Sequence, residues 1–465
     1  MSQYFHSVTL DKSLCKGCTN CIKRCPTEAI RVTGGKSHII EERCIDCGEC
    51  IRTCANHAKS ALVDGFDRLS EFDYRIALPP PAFFGLWKPQ SEIPVACARL
   101  LSLGFDEVFE VAVAADVVAQ ATRLLVKDRN RPKPYISSAC PAVIRLMQVR
   151  FPSLLPNLIP LEAPIEIAAT LAKEEALART GMPADRIGAF FLSPCPAKVT
   201  AIKQPVGRMR SNIDAALSIS EVYGAIARMP ASKAKPVTIR GTPSGIGWGG
   251  AGGEADATGI KAAVSVAGIH SVIQVLDEIE RGRIHDIQYI EAQACVGGCL
   301  GGCLVSQNPF ISKVRLVAAA ETYGARQPAV PPIEVGRLLR SSKLSFDHPI
   351  EPRPVMKLDP DLARALVMMR DLEKTLETLP GLDCGACGSP SCRALAEDIV
   401  RGNALKTDCI FLLRERVREL AEEMVDLARK VPPSMGQQAA GPSGSAEVGK
   451  RAQDETGGGG RDDSR

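Results

Sequence analysis

The chain has 465 residues, 57 basic and 53 acidic side chains for a formal net charge of +4, and a hydrophobic content of 45%. That length allows two or three folded units, each burying its own core, and excludes a small disulfide-stapled domain. No block of like charge is long enough to mark a nucleic-acid or anionic-lipid surface, so charge alone leaves the partners open.

The start, MSQYFHSVTLDKSLC, lacks a basic segment followed by an apolar one, and no apolar run reaches the roughly 18 residues of a membrane helix. This predicts a cytoplasmic protein without membrane insertion. The 18 cysteines fall in tight CxxC groups, a pattern of metal ligation in a reducing compartment rather than of disulfides. Thiolates are soft ligands and suit iron-sulfur clusters.

Residues 1–68 are predicted to form the first module. Cys15, Cys18, Cys21 and Cys25-Pro26 reproduce the C-x2-C-x2-C-x3-C-P run of bacterial ferredoxins, and Cys44, Cys47, Cys50 and Cys54 repeat it with Ala55 in place of the proline. In such runs three cysteines wrap one cubane and the fourth reaches the other. Cys15, Cys18, Cys21 and Cys54 are therefore assigned to one [4Fe-4S] cluster, and Cys44, Cys47, Cys50 and Cys25 to a second. Zinc is the competing ligand-set reading, but two complete runs favour clusters. Gly17 and Gly48 leave backbone N–H groups free to approach cluster sulfurs. Between the runs, TEAIRVTGGKSHIIEER alternates like a β-hairpin around Gly34-Gly35. The module's predicted work is to carry single electrons.

From 69 to 345 the pattern turns α/β. VFEVAVAADVVAQATRLLV, PYISSACPAVIRLMQ and RIGAFFLSPCPAKV each pass from an apolar strand run to helical periodicity. Three motifs carry the chemistry of this segment: Ser138-Ala139-Cys140-Pro141-Ala142, Ser193-Pro194-Cys195-Pro196-Ala197-Lys198, and Glu291 onward through Cys295, Cys299 and Cys303. Four thiolates from three loops can hold one cubane. Cys97, within VACARLLSLGF, lies in an apolar helical pattern and reads as core. Cys303 reads as a packed thiol or a spare ligand.

A Pro-rich link, HPIEPRPVMKLDP, leads to a helix ending near Thr378 and a third cysteine module at 355–431. Its ligands are Cys384, Cys387, Cys392 and Cys409, with zinc again the alternative to a [4Fe-4S] cluster. After Cys409, Ile410, Leu413, Val417, Leu420, Met424 and Leu427 recur at helical spacing. Such a helix packs on its own protein or serves as an output for a signalling partner. Residues 432–465, rich in Gly, Ser, Gln and charge, read as a disordered tail.

The three central motifs resemble those of the [FeFe]-hydrogenases, whose TSCCPxW, MPCxxK and ACxGGCxxGGG occur in the same order at similar spacing. Pro-Ser-Leu-Leu at 152–155, the Pro164 segment and the glycine run from Ser244 to Gly253 extend the likeness over about residues 75 to 310. The third module is similar to the single-cluster Fe-S domain of corrinoid iron-sulfur proteins. The resemblance implies a multidomain α/β protein: an α+β ferredoxin module, an α/β hydrogenase-like domain and a small helical Fe-S domain. It implies an H-cluster, with its cubane on Cys140, Cys195, Cys295 and Cys299 and a CO- and CN-bearing di-iron unit bridged by Cys299. It places Lys198 where a lysine hydrogen-bonds a cyanide ligand. Lys198 and Cys299 are thus the candidate catalytic residues, beside three accessory [4Fe-4S] clusters.

The likeness breaks where protons move. Ala139 replaces the proton-shuttling cysteine of the family, and a methyl group neither donates nor accepts a proton. The relay's serine aligns with Ile159 and its two glutamates with Ala121 and Leu124; the methionines of MPC and MAC become Ser193 and Gln293. General acid-base catalysis is typically worth about 10²–10⁴ in rate, so the loss predicts slow turnover with H2 still able to reach the metal. That combination is similar to the sensory members of the family, although their usual C-terminal PAS domain has no counterpart here. The reading is H2 sensing or low-activity H2 oxidation and proton reduction, with a soluble electron carrier such as ferredoxin as partner. Two alternatives stand beside it: an ordinary hydrogenase with another proton route, and a non-catalytic electron-transfer or scaffold protein carrying only [4Fe-4S] clusters.

Overall fold

A computed structural model describes residues 5–88, 92–128, 130–229 and 236–430, so the predicted tail at 432–465 lies outside the described residues. The chain divides into two units between Cys409 and Ile410, and the described part of the second is residues 410–430.

The N-terminal module of the first unit is built on a local repeat. Strand Val8–Leu10 pairs antiparallel with Lys59–Ala61, and Ile30–Thr33 pairs with Lys36–Ile39. Gly34 and Gly35 turn the second hairpin with φ of 57° and 72°, the positive values that a two-residue type I′ turn demands. Each cysteine run carries positive φ at equivalent places: Gly17 and Asp46, Thr19 and Gly48, Glu28 and His57. These kinks coil the backbone around a central point and begin the short helices Asn20–Lys23 and Glu49–Arg52, which bury Cys21 and Cys50.

The central part holds two parallel sheets. In the larger, the strand order is Glu107–Val108, Tyr74–Leu78, Ile187–Ser193, Ala215–Ser218. Every residue of Ile187–Ser193 is buried, as a strand covered on both faces requires. Alternation divides its side chains between two cores. Ile76, Leu78, Ala189 and Phe191 face helices Val111–Leu125 and Pro164–Thr180, while Ala77, Phe190 and Leu192 face helices Glu92–Ser102 and Ile219–Ala227. Cys97 sits fully buried in the second core. The smaller sheet runs Ala263–Ala267, Tyr289–Gln293, Tyr135–Ile136, with helices Pro141–Arg150 and Ile269–Glu280 on its third core.

This topology aims the cysteine loops. Cys140, Cys195 and Cys295 each lie a few residues beyond the carboxyl end of a parallel strand, the side on which α/β sheets hold ligands. Pro141 and Pro196 then open helices, their fixed φ suiting the first helical position, so Cys140 and Cys195 become N-cap residues. A helix N-terminus favours a thiolate.

Buried polar contacts lock the modules together. Asp46 accepts from the Val8 N–H at 3.1 Å and Thr200 Oγ1 at 3.0 Å, with His6 Nδ1 at 3.2 Å. Burial raises its carboxyl pKa, yet His6, Arg145 and these hydrogen bonds outweigh burial and hold it below the usual range. The third cysteine module, with helices Leu362–Thr378 and Cys392–Val400, docks on the hairpin through buried ion pairs Arg31–Asp398 and Arg43–Glu397. The Val32 N–H donates to Gly388 O at 2.9 Å. Helix Ile410–Arg429, which the sequence analysis groups with this module, belongs to the second unit. Among the described residues no helix is long and apolar enough to cross a membrane.

Candidate metal centre

Cys140, Cys195, Cys295 and Cys299 line one cavity whose empty space, open mouth included, is about 690 Å³. Pro80, Ala139, Pro164, Lys198, Trp248 and Gln293 are among the other lining residues. Burial, with repulsion from the neighbouring sulfurs, pushes Cys299 up to about 11 and Cys295 up to about 12, and raises Cys195. Bare, these three groups would be thiols at neutral pH; they become thiolates together around a multivalent cation. Lys198 Nζ lies 3.7 Å from Cys299 Sγ. Burial opposes its charge, but the four cysteines outweigh burial and push the ammonium above its ordinary range. Gln293 Oε1 is buried beside the cavity with no hydrogen-bond partner among the described residues. A soft four-sulfur donor set and an adjoining cation are what a [4Fe-4S] cubane beside Cys299 would meet, so the residues fit that group.

Close packing of the last loop depends on glycine. Gly298 has φ of 76°, and a Cβ there would stand 2.4 Å from Gln293 Oε1 and 2.8 Å from the Ala251 N. Ser193, by contrast, turns back on its own loop: its hydroxyl donates to Cys195 O at 2.8 Å, and it is not among the lining residues.

The first module meets this cavity through its second cysteine run. Cys25 lies with Cys44, Cys47 and Cys50, where their repulsion adds to burial in raising all three thiols, while Cys18 and Cys15 act on Cys21. Arg52 crosses between the sites. Its guanidinium donates to Glu49 Oε2 at 2.8 Å and Cys47 O at 3.4 Å on one side, and to Gly301 O at 3.3 Å and Cys295 Sγ at 3.6 Å on the other. Cys303 packs against the second cysteine run. A Cβ on Gly48 would stand 2.7 Å from its Sγ, and burial with the Cys195 and Cys295 charges pushes it up to about 12. In the third module, Cys384 and Cys409 add to burial in raising Cys387.

Behind Ala139 lies a buried acid chain absent from the sequence analysis. The Ala139 N–H donates to Ser137 Oγ at 3.1 Å, and Ser137 Oγ donates to Glu254 Oε1 at 2.6 Å. Tyr289 OH donates to the same oxygen at 2.5 Å. Burial and the Glu291 charge raise Glu254 to about 7, against which Ser137, Tyr289 and Lys198 pull it down. Glu291 accepts from the Gly252 N–H at 3.0 Å and the Ala255 N–H at 2.8 Å. Its pKa is raised by burial, and Ser265, an exposed residue, hydrogen-bonds it. The one sequence signal was an acid inside the otherwise fully buried strand Tyr289–Gln293. The positions of the family relay carry no such groups: Ile159 and Ala121 are buried and Leu124 is exposed.

Residues 81–253 match the family described as iron only hydrogenase large subunit, C-terminal domain; 7–55 match a 4Fe-4S dicluster domain, and 379–411 an Fe-S cluster family. The periplasmic [Fe] hydrogenase large subunit of Nitratidesulfovibrio vulgaris is 27% identical over 361 residues, 64% of this chain and 86% of that one. Iron hydrogenase 1 of Clostridium pasteurianum is 26% identical over 250 residues, 44% of each chain, so the match spans less than half of that relative. A solved structure of the [FeFe]-hydrogenase HydA1 from Chlamydomonas reinhardtii aligns with TM-score 0.47 and 14% identity, covering 61% of this chain and 97% of that chain.

Proposed function

This chain is an [FeFe]-hydrogenase-like iron-sulfur redox protein, and from that premise we propose that it reacts with H2 slowly, as a low-activity or H2-sensing centre wired to [4Fe-4S] clusters. The observation that carries the reading is the meeting of Cys140, Cys195, Cys295 and Cys299 in one cavity with Lys198 Nζ 3.7 Å from Cys299 Sγ.

Cys140, Cys195, Cys295 and Cys299 would hold the cubane of an H-cluster, and Cys299 its di-iron unit with CO and CN ligands. When bound, that unit supplies the site of H2 ⇌ 2H⁺ + 2e⁻. Lys198 keeps its proton and offers a charged donor to an anionic ligand beside Cys299. Glu254, with a pKa of about 7, is poised to hold or release a proton at neutral pH on Oε1 or the unpartnered Oε2. Ser137 passes it toward the cavity, and Glu291 with Ser265 leads it toward solvent.

The relay stops short. Ser137 Oγ is spent on Glu254 and the Ala139 N–H, and the Ala139 methyl stands between it and the reacting space. A proton can arrive, but without a terminal acid to deliver it. Electrons would leave through the cluster of Cys25, Cys44, Cys47 and Cys50, then those of Cys15, Cys18, Cys21 and Cys54 and of Cys384, Cys387, Cys392 and Cys409. Exposed Cys18 and Cys384 suit exchange with a soluble carrier such as ferredoxin. The tight CxxC spacing of the cysteines suits a reducing, cytoplasmic setting.

The test is H2 oxidation by protein loaded with its full cofactor set. Slow turnover in the parent, rising about 10²-fold in Ala139→Cys, is the expected result. A parent as fast as the active relatives, or an Ala139→Cys variant no faster than the parent, would refute the proposal.

A further inference from the structure

The two halves of the first module repeat closely enough for their residues to be matched one to one. In each half the fourth sulfur of the cysteine run accepts from the backbone N–H four residues on: Cys25 Sγ from Ala29 at 3.2 Å, Cys54 Sγ from Ala58 at 3.3 Å. The residue after that alanine opens a strand. Strand Ile30–Thr33 packs against helix Asn20–Lys23, and strand Lys59–Ala61 against helix Glu49–Arg52. Ile30 is buried in the small core that holds Cys21 and Cys50, as an apolar side chain should be. Its counterpart Lys59 is buried as well, with 4% of its surface exposed.

The Lys59 Nζ is shut off from solvent and has neither a hydrogen bond nor an ion pair among the described residues. Lys36 of the same module, by contrast, donates to Cys15 O at 2.7 Å. A buried ammonium without a counter-charge is costly, and no described carboxylate stands within ion-pair distance to supply one. Its charge reaches sulfur on two sides. Burial raises the Cys21 thiol, and Lys59 is foremost among the influences against it; burial and the Cys25 charge push Cys50 up to about 12, and Lys59 again opposes them. Cys21 and Cys50 belong to different cysteine runs of the segment that matches a 4Fe-4S dicluster domain. The soft sulfurs of those runs, with backbone N–H groups already aimed at Cys15, Cys25 and Cys54, fit two cubanes.

We propose that Lys59 is a counter-cation shared by these two clusters, its ammonium held between them and raising both reduction potentials. A cluster gains negative charge when it takes up an electron, so a nearby cation favours the reduced form. One cation serving both moves the two potentials in the same direction. The inference rests on the clusters of the first module and not on the reaction with H2.

A redox titration of the full-length, cluster-loaded protein, followed by electron paramagnetic resonance with iron counted per chain, tests this. Lys59→Ile installs the residue of the other half. It should shift the reduction equilibrium of both ferredoxin-type clusters about tenfold toward the oxidised form, a fall of about 59 mV for one electron, at unchanged iron content. Lys59→Gln, neutral but still a donor, should reproduce the fall, so the result does not hang on how isoleucine packs. Lys59→Arg keeps the charge and should stay near the parent, and the cluster of the third module should not move in any variant. Iron lost from the neutral variants alone would count for the proposal, since only they lack the charge. Unchanged potentials in both neutral variants, a fall confined to one cluster, an equal fall in Lys59→Arg, or iron lost from all three variants would overturn it.

Discussion

The two sides of the central cavity are built unlike each other. On the side of Cys295, contact with the neighbouring cluster module is continuous: Arg52 touches Cys295 Sγ, Gly301 O, Cys47 O and Glu49 within one guanidinium, and Cys303 lies against Gly48. On the side of Cys140, the acid chain Glu254–Ser137 ends at the backbone of Ala139, behind a methyl group. Contacts thus link the cavity to the second cysteine run, whereas the acid chain ends at a backbone amide. On the proposed function, proton delivery rather than electron transfer limits the rate.

The comparison can be broken most severely at the shared ligand. Cys299→Ala should abolish H2 turnover and lower iron per chain, while the electron paramagnetic resonance signals of the ferredoxin-type clusters persist; retained activity would mean that the cavity is not the reacting site.

The proton side comes next. Glu254→Gln keeps the shape and the contacts to Ser137 and Tyr289 but carries no exchangeable acid. Turnover should fall about 10- to 10²-fold, and the limb of the pH–rate profile near the Glu254 pKa of about 7 should vanish. An unchanged profile would show that protons take another route.

The electron side is sharpened by undocking the third module. Arg43 and Arg401 share Glu397, so Arg43→Ala leaves a partly paired carboxylate and should cost about 2 kcal/mol in denaturant unfolding, below the usual penalty for a broken buried pair. Burial raises the Glu397 pKa, but Arg43 and Arg401 outweigh it and hold it below the usual value. The carboxylate therefore stabilises the fold above the ordinary glutamate pKa, and that stability is lost as pH falls through the depressed folded value. The acid limb of stability should flatten in Arg43→Ala.

The smallest effect is one of tuning. Arg52→Gln removes a positive charge from beside Cys295, which should lower the midpoint potential of the central cluster without changing iron content. A shift confined to the ferredoxin-type clusters would show that Arg52 serves only its own module.

Much of this was legible in the chain because it is local. The ferredoxin-like runs announce themselves through spacing, and the hairpin through Gly34-Gly35. Cys140, Cys195 and Cys295 were legible because each follows an apolar strand run and two precede a proline that starts a helix. What escaped depends on single residues brought together from afar. Ser137 and Glu254 are 117 positions apart, and Arg52 and Cys295 are 243 apart, so no spacing marks either pair. Ser193, which replaces a family methionine, spends its hydroxyl on its own loop by donating to the Cys195 carbonyl. The sequence reads Cys303 as a packed thiol or a spare ligand, and only the approach of Gly48 places it at the seam between modules.

The central claim is that four sulfurs and Lys198 cradle a cubane carrying a di-iron unit. Infrared spectra of the matured protein under H2 and under argon test it most directly. The account predicts CO and CN stretches that change between the two gases; a protein with full cubane iron and no such bands under either gas would contradict it and leave an electron-transfer or scaffold protein in its place.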